Sequence, residues 1–333
     1  MRILVAGSGG WGTALAILLL QNGHDVTLWS YCEEESKQLA KTHCNPFLPG
    51  VELPQGLKFT ADAANAEDKE MVVFATPSFA VRATAKTFAP HLTDAAIIVS
   101  VTKGIEEDSG LRMSELIAQE TGKTVVSLSG PSHAEEVSRG IPTGVVVACA
   151  DKELAQKVQA AFVCKKLRVY TSPDAIGVEL GAAHKNVIAL CAGICDGMGF
   201  GDNTKALLMT RGLAELARLG MAMGANRETF AGLAGVGDLI VTCTSMHSRN
   251  RRAGILIGQG IGVQEAMQQV GAVVEGYYAA SAAWKLAQRY HVEMPITRAA
   301  YEVLYENRDP RQALAGLMQR QEKTELDYAE WAR

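Results

Sequence analysis

A glycine-rich motif close to the N-terminus constrains the fold more than any other feature of the sequence. Gly7, Gly9 and Gly12 fit the pattern GxGxxG, which follows the strand-like run 3–6 and opens an apolar helical stretch. A second strand candidate follows at 26–29. In this context Gly7 permits a tight turn, Gly9 a close approach of the backbone to a pyrophosphate, and Gly12 close packing of helix on strand. The segment therefore predicts a βαβ unit that binds a dinucleotide.

The rest of the first half extends this unit into an α/β domain. Short, nearly continuous apolar runs alternate with helical or loop segments up to about residue 172, which is typical of parallel strands covered on both faces. The strand candidates are 3–6, 26–29, 71–76, 97–101, 125–128, 145–149 and 167–170. We predict an N-terminal Rossmann-like, doubly wound domain over residues 1–173.

The second half has a different composition. Strand-like runs almost disappear, and long stretches rich in alanine, leucine and glycine follow. Within 203–223, Met209 and Leu213 belong to an apolar series at helical spacing, and Gly224 is placed to end the helix. We predict an all-α C-terminal domain over residues 174–333 for substrate binding and catalysis, with the active site between the two domains.

Composition and charge exclude several classes of function. A length of 333 residues exceeds what one hydrophobic core usually organises, which favours two domains. The net charge of -4 argues against a surface that binds nucleic acid or an anionic membrane. The seven cysteines lack a framework spacing, so we expect buried apolar thiols and no metal site. We see no signal peptide and no apolar run of the ~18 residues that suggest a membrane span. These features predict a reduced, cytoplasmic location without membrane insertion.

The residues at the end of the second strand candidate bear on the choice of cofactor. A strict NAD enzyme usually carries Asp or Glu there. This chain has Trp29, Ser30 and Tyr31, and its acidic residues begin only at Glu33. No arginine stands there to bind a 2′-phosphate strongly either. We expect NADPH or NADH to bind, with a lean toward NADPH.

Two lysines are candidates for chemistry. Lys185 stands alone among small residues in the helical stretch 177–186, where burial would lower its pKa. Such a lysine can protonate a carbonyl oxygen as hydride reaches the carbon, although a surface lysine on an alanine-rich helix would show the same pattern. Lys103 lies just past the strand candidate 97–101, and the ends of such strands are where α/β sheets bind ligands. A simple turn is the alternative there.

Two further polar stretches in the second half could serve a substrate. Asp238 ends the glycine-rich segment 232–237, which we predict to be a loop, and an ordinary N-capping aspartate is the alternative. Ser248, Arg249 and Asn250 precede an apolar helix. A helix start with these three residues is a natural seat for a phosphate, and a solvated basic cap is its alternative.

Together these pieces resemble the bacterial-type NAD(P)-dependent glycerol-3-phosphate dehydrogenase family. The matching segments, in family order, are GSGGWGTALA at 7–16, SVTKGIE at 100–106, SGPSHAEEV at 129–137, GVELGAAHKNVIALCAGICDGMGFGDN at 177–203, GLAGVGDLIVTCTS at 232–245, SRNRRAG at 248–254 and VEG at 274–276. The resemblance implies reversible reduction of dihydroxyacetone phosphate by NAD(P)H to sn-glycerol 3-phosphate, which supplies the glycerophospholipid backbone.

The resemblance also implies roles for individual residues. It makes Lys185 the catalytic proton donor or acceptor. The implied substrate-binding residues are Lys103, Gly130, Ser132, Lys185, Asp238, Ser248, Arg249 and Asn250. The implied cofactor-binding residues are Gly7, Gly9, Gly10, Trp11, Gly12, Tyr31, Lys103, Ala134, Arg249, Val273 and Glu275. The chain departs from the family pattern at His133, at His184 and at Tyr277, Tyr278 and Ala279.

Two alternatives remain open at this point. A hydroxyacid or ketopantoate-type reductase with the same layout would need no seat for a phosphate. A dinucleotide sensor without enzymatic activity would have no use for Lys185. For partners we expect a small phosphorylated substrate, no nucleic acid, and a homodimer as one possible assembly.

Overall fold

The structure is a computed structural model that describes residues 1–322 and 324–325. The described part holds an eight-stranded sheet with the order β3-β2-β1-β4-β5-β6-β7-β8. Neighbouring strands run parallel except for the antiparallel pair β6 and β7. The strands are β1 (Arg2–Ala6), β2 (Asp25–Trp29), β3 (Lys58–Thr60), β4 (Met71–Phe74), β5 (Ile97–Ser100), β6 (Val125–Ser129), β7 (Thr143–Ala148) and β8 (Leu167–Ser172).

Helices cover both faces of this sheet. They are α1 (Gly10–Gln21), α2 (Glu33–Thr42), α3 (Val81–Phe88), α4 (Met113–Thr121), α5 (Ala134–Val137) and α6 (Lys152–Phe162). Alternate residues of one strand enter opposite cores: Ile3 and Val5 pack on the α1 side, whereas Leu4 packs on the α3 side. The predicted doubly wound fold is therefore confirmed, and each of the seven strand candidates overlaps an observed strand.

The strand order reverses next to β1, which pairs with β2 on one side and β4 on the other. In doubly wound sheets, ligands bind in the crevice that opens beyond the carboxyl ends of the strands at such a point. The glycine motif follows β1 directly, so it lies at this crevice. Edge strand β3 was not predicted, because its three residues are only half-buried or exposed and form no apolar run.

The chain beyond β8 is helical as far as the structure describes it, as predicted. The helices are α7 (Ala175–Gly197), α8 (Asp202–Ala222), α9 (Asp238–Thr244), α10 (Arg249–Gly258), α11 (Val263–Val270), α12 (Glu275–Arg289), α13 (Pro295–Tyr305) and α14 (Pro310–Met318). The predicted helical domain extends to residue 333, and positions 323 and 326–333 lie outside the described residues.

Helix α7 forms the centre of this helical part. Its glycines allow α10 to approach closely: a Cβ on Gly193 would lie 2.1 Å from the carbonyl oxygen of Arg251, and one on Gly197 2.1 Å from that of Ile255. The helix is long and apolar enough to cross a membrane, but 94% of its most apolar window is buried inside the protein. Its burial is that of a core helix.

A buried carboxylate ties α7 to the start of α4, one of the helices that cover the sheet. Glu179 Oε1 accepts a hydrogen bond from the backbone N–H of Ser114 at 2.8 Å, and Oε2 accepts one from the Ser114 hydroxyl at 2.6 Å. Arg112 also pairs with Glu179. Because Glu179 lies less than two turns before Lys185 on α7, these contacts with α4 help to fix the position of that lysine.

The cysteines are all free, but they are not uniformly buried as predicted. Cys149, Cys195 and Cys243 are buried, whereas Cys44 is exposed because it lies in the surface connection between α2 and β3. Within residues 1–322 and 324–325, no group of three or more histidine, cysteine or acidic side chains could hold a metal ion.

Candidate active site

Two lysines from different parts of the chain share one buried aspartate. Lys185 on α7 places its Nζ 2.8 Å from Oδ1 of Asp238. Lys103, which follows β5, places its Nζ 2.7 Å from Oδ2 of the same carboxylate. Asp238 is 1% exposed and Lys185 is 5% exposed, so the cluster is shielded from bulk water. The three residues are 53 to 135 positions apart in sequence, and only the fold brings them together.

Burial and the neighbouring charges shift the pKa values of Lys185 and Asp238. Burial is the largest influence on Lys185 and lowers its pKa to about 8, while Asp238 acts in the opposite direction and Lys103 adds to the lowering. Burial alone would raise the pKa of Asp238, but the two lysines outweigh it and hold the pKa below its usual value. Lys185 can therefore give up and regain a proton near neutral pH, and Asp238 stays ionised.

The segment before Asp238 differs from the predicted loop. Leu233–Gly237 forms a π-helical turn that continues directly into α9, and Asp238 is the first residue of α9 with no capping bond from its side chain. A Cβ on Gly235 would lie 2.0 Å from the carbonyl oxygen of Phe230, so this turn packs too tightly for other residues. Gly235 thus serves close packing within a helical segment, whereas a Cβ on Gly237 would meet no atom nearer than 3.7 Å.

The helical course of α9 brings a further residue to the lysine. Thr242, one turn after Asp238, accepts a hydrogen bond from Lys185 Nζ at 2.6 Å. Its own hydroxyl donates to the backbone carbonyl of Asp238 at 2.6 Å. We did not predict Thr242, because its position beside the lysine follows from the i, i+4 spacing within α9, a helix that we did not predict.

The other side of the cluster is built by the loop after β6. Lys103 Nζ donates to the backbone carbonyl of Gly130 at 2.9 Å and to the hydroxyl of Ser132 at 3.2 Å. Gly130 has a φ of +139°, and a Cβ there would lie 3.0 Å from the Cα of Val145. The structure therefore places Gly130 and Ser132 in contact with Lys103 beside Asp238; their binding of substrate stays a prediction.

The start of α10 presents an exposed cation, Arg249. The Ser248 hydroxyl caps the helix by accepting from the N–H of Arg251 at 3.2 Å. The Asn250 amide is engaged at both ends, donating to Asn186 Oδ1 at 2.9 Å and accepting from the N–H of Gly276 at 2.8 Å. Arg249 is exposed and makes no hydrogen bond or ion pair with any described residue. Ser248 and Asn250 thus order the segment, and Arg249 is exposed to bind a ligand. The side chain of Arg252 in the same turn also has no partner among the described residues, but its Nε is buried.

The glycine motif fits a dinucleotide in its backbone geometry. A Cβ on Gly12 would lie 2.0 Å from the carbonyl oxygen of Gly7, which itself has a φ of +132°, so these two glycines are needed for the turn. Gly9 caps α1, and a Cβ there would meet no atom within 4 Å. The helix begins at Gly10, so its free N–H groups face this open space. The indole N–H of Trp11 is buried and has no partner among the described residues.

Gly9 and Gly12 allow a matched test of the motif. We expect Gly12→Ala to lower the melting temperature strongly, because its Cβ would collide with backbone that cannot move away. Gly9→Ala should leave the melting temperature near normal but weaken dinucleotide binding, because its Cβ would occupy the open space over the helix start. Thermal unfolding and calorimetric titration with ADP-ribose would measure the two effects. Normal ADP-ribose binding by Gly9→Ala would contradict this placement of the pyrophosphate.

The remaining predicted cofactor residues lie around the same crevice. Ala134, at the start of α5, would lie 3.6 Å from a Cβ on Gly10, and Tyr31 is 85% exposed just beyond β2. Val273 precedes α12, which begins at Glu275. Glu275 Oε1 accepts from the N–H of Ser78 at 3.0 Å, so α12 is joined to the loop after β4. Burial raises the pKa of Glu275.

Sequence reasoning also missed two polar residues that support the glycine motif. Asn45 Nδ2 donates to the carbonyl oxygen of Ser8 at 2.8 Å and to the hydroxyl of Thr13 at 2.7 Å. The carboxylate of Glu35, in the first turn of α2, accepts from the hydroxyls of Ser8 and Ser30. Residues 29–31 carry no carboxylate of their own, but Glu35 reaches Ser30 from the first turn of α2, a contact that the sequence of the strand end could not reveal.

The two histidines that depart from the family pattern have different surroundings. His184 is 1% exposed, its Nε2 lies 3.1 Å from the hydroxyl of Thr297, and burial lowers its pKa to about 4. It therefore packs as a neutral core residue next to Lys185. His133 lies beside the ring of His247, and burial together with the charges of Lys185 and Lys103 lowers its pKa.

Comparisons with known proteins relate nearly the whole chain to one family. Residues 2–155 match the family model described as NAD-dependent glycerol-3-phosphate dehydrogenase N-terminus. Residues 174–315 match the model for the C-terminus of the same family. A glycerol-3-phosphate dehydrogenase (NAD(P)+) of Pelotomaculum thermopropionicum is 52% identical over 332 residues, covering 98% of this chain and 95% of the relative. One of Fusobacterium nucleatum is 50% identical over 331 residues, covering 98% and 99%.

A solved structure extends the likeness to three dimensions. The crystal structure of a glycerol-3-phosphate dehydrogenase from Coxiella burnetii superposes with a TM-score of 0.93 at 37% sequence identity, covering 96% of this chain and 99% of that one. Both halves of the chain, the crevice and the lysine cluster thus occur in a chain that matches this family along almost its whole length. The chain belongs to the NAD-dependent glycerol-3-phosphate dehydrogenase family.

Proposed function

We propose that this protein reduces dihydroxyacetone phosphate to sn-glycerol 3-phosphate, reversibly, with NADH or NADPH. The observation that carries the proposal is the buried Lys185, held 2.8 Å from Asp238 with a pKa of about 8. A general acid works best when its pKa is near the operating pH. A bound nicotinamide cofactor supplies the hydride. Lys185 donates the proton that the ketone oxygen needs, and takes it back in the reverse direction.

The neighbouring residues divide the remaining tasks in this proposal. Asp238 orients Lys185 and raises its pKa, whereas Lys103 lowers that pKa. Lys103 also faces the substrate, together with Gly130 and Ser132. The cationic side chain of Arg249 binds the substrate phosphate. Ser248 and Asn250 hold the start of α10 in place for it.

The proposed division of labour follows the two halves of the chain. Residues 1–173 form the dinucleotide-binding domain, with Gly7, Gly9, Gly10, Trp11 and Gly12 around the phosphates. Residues 174–333 form the domain that carries the catalytic lysine and the substrate phosphate. Family membership supports a role in making the glycerophospholipid backbone. A cytoplasmic location and a homodimer stay predictions, and sedimentation of the pure protein would test the dimer.

The direct test follows the oxidation of NADH and NADPH by pure protein with dihydroxyacetone phosphate present. Turnover that requires the phosphoryl group supports the proposal. Turnover of ketopantoate or a 2-oxoacid in its place would support a reductase that acts on another substrate. Binding of cofactor without turnover of any of these carbonyl compounds would favour a dinucleotide sensor.

The pH dependence of both directions should report Lys185. Reduction needs the protonated lysine, so kcat/KM for dihydroxyacetone phosphate is expected to fall as the pH rises through about 8. Oxidation of glycerol 3-phosphate needs the neutral lysine and should rise through the same pH. Asp238 raises the pKa of Lys185, so in Asp238→Asn the fall of reduction and the rise of oxidation should both occur at lower pH. If circular dichroism shows that Asp238→Asn is folded and both pH transitions stay in place, Asp238 does not set the pKa of Lys185.

A further inference from the structure

The carboxylate of Glu35 lies between the glycine loop and the end of β2. Its Oε1 accepts a hydrogen bond from the hydroxyl of Ser8 at 3.0 Å, and its Oε2 accepts one from the hydroxyl of Ser30. Ser8 stands inside the glycine motif, and Ser30 is the first residue after β2. In a dinucleotide-binding βαβ unit, the adenosine ribose lies between these two elements. The carboxylate therefore lies where ribose hydroxyls need an acceptor.

The two serines hold this carboxylate in place and leave part of it free. Ser8 is 6% exposed and Ser30 is 1% exposed, so both donors are fixed in the protein interior. The Ser30 hydroxyl also accepts from the N–H of Cys32 at 3.2 Å, which directs its own proton toward Glu35. A carboxylate has about four acceptor sites, of which the serines use two. Because Glu35 is only half-buried, the remaining sites can accept hydrogen bonds from a 2′- and a 3′-hydroxyl.

The surroundings of Glu35 disfavour a second negative group. Glu33 and Glu34 lie in the same first turn of α2, and the nearby cation Lys37 is paired with Glu33 at 2.7 Å. Residues 30–36 contain no lysine or arginine. A 2′-phosphate carries a charge of about −1.5 to −2 at neutral pH and would face a carboxylate where it needs a cation. The same position that suits a hydroxyl therefore repels a phosphate.

We infer that Glu35 binds the adenosine ribose of the cofactor and selects NADH over NADPH. The inference rests on the proposed function, since it concerns the cofactor of that reaction. It reverses the lean toward NADPH that the strand end alone suggested, because the carboxylate comes from α2 and not from β2. Ser8 and Ser30 act as positioning residues that fix the carboxylate.

The experiment compares two fragments that lack the reacting ring, ADP-ribose and 2′-phospho-ADP-ribose, by isothermal titration calorimetry. The wild-type protein is expected to bind ADP-ribose roughly ten- to hundredfold more tightly, the factor that a hydrogen bond to a charged group contributes. Glu35→Gln should bring the ratio close to one, because the amide accepts less strongly from the ribose and no longer repels the phosphate. Glu34→Gln, in the same turn but without a contact to Ser8 or Ser30, should keep the wild-type ratio.

Three results would overturn the inference. They are equal binding of the two fragments by the wild-type protein, an unchanged ratio in folded Glu35→Gln, and a loss of the ratio in Glu34→Gln. If Glu35→Gln does not fold, Ser30→Ala replaces it, and an unchanged ratio in that variant counts equally against Glu35. Turnover of dihydroxyacetone phosphate is measured separately. An active enzyme without preference at the ribose would leave the proposed function standing and remove Glu35 as its specificity residue.

Discussion

Lys185→Ala is expected to reduce the rate of dihydroxyacetone phosphate reduction by about a hundredfold or more, the loss typical of a missing general acid. Lys185 is the buried cation of α7, and its Nζ contacts Asp238 and Thr242 in a shielded site. The substitution leaves the buried carboxylate of Asp238 paired with Lys103, so it does not create an unpaired buried charge. Steady-state kinetics would give the rate, and titration with ADP-ribose should show unchanged cofactor affinity.

Two further variants separate proton transfer from charge and from surface effects. Lys185→Arg keeps the positive charge but cannot release a proton at accessible pH, so it should stay slow in both directions. Lys285→Ala removes an exposed lysine of α12 that pairs with Glu107, and it should turn over at nearly the wild-type rate. Near-normal turnover by Lys185→Ala or Lys185→Arg would assign the proton to another group.

The fold class followed from the sequence because both of its signals are local. A parallel strand that is covered on both faces must be a nearly continuous apolar run, and each of the seven runs predicted as strands overlaps an observed strand. The same reasoning could not find β3, whose side chains are half-exposed at the sheet edge. It also took 232–237 for a loop, since glycines that serve tight helix packing look the same in sequence as glycines of a turn.

The candidate site could be predicted only in part, because its members come together through the fold. Lys103, Lys185 and Asp238 stood out singly as polar residues in apolar or glycine-rich surroundings, but the carboxylate shared by both lysines is a contact between distant segments. Thr242 and Glu35 carried no comparable signal. In the sequence, each looks like an ordinary helical residue. Only the packing of the helices shows that Thr242 contacts Lys185 and that Glu35 contacts the glycine loop.

Arg249→Ala is expected to raise KM for dihydroxyacetone phosphate by roughly ten- to hundredfold, the worth of one charge-assisted bond to phosphate. The structural basis is that Ser248 and Asn250 are used within the protein, whereas Arg249 is exposed without a partner among the described residues. The charge of Arg249 also acts on Glu275 beside the crevice. It lowers the pKa of Glu275, although burial has the larger effect and raises it. Steady-state kinetics with varied substrate would measure the change.

The unphosphorylated substrate makes this test specific. Dihydroxyacetone lacks the group that Arg249 is proposed to bind, so its already low kcat/KM should change much less in Arg249→Ala. A structural role for Arg249 would instead harm both substrates alike. Arg249→Lys keeps a cation but loses the planar, two-pronged contact, so its KM should lie between those of the wild type and Arg249→Ala. Equal losses for both substrates, or a loss confined to cofactor affinity, would move the phosphate seat away from α10, with Lys103 as the next cation to test.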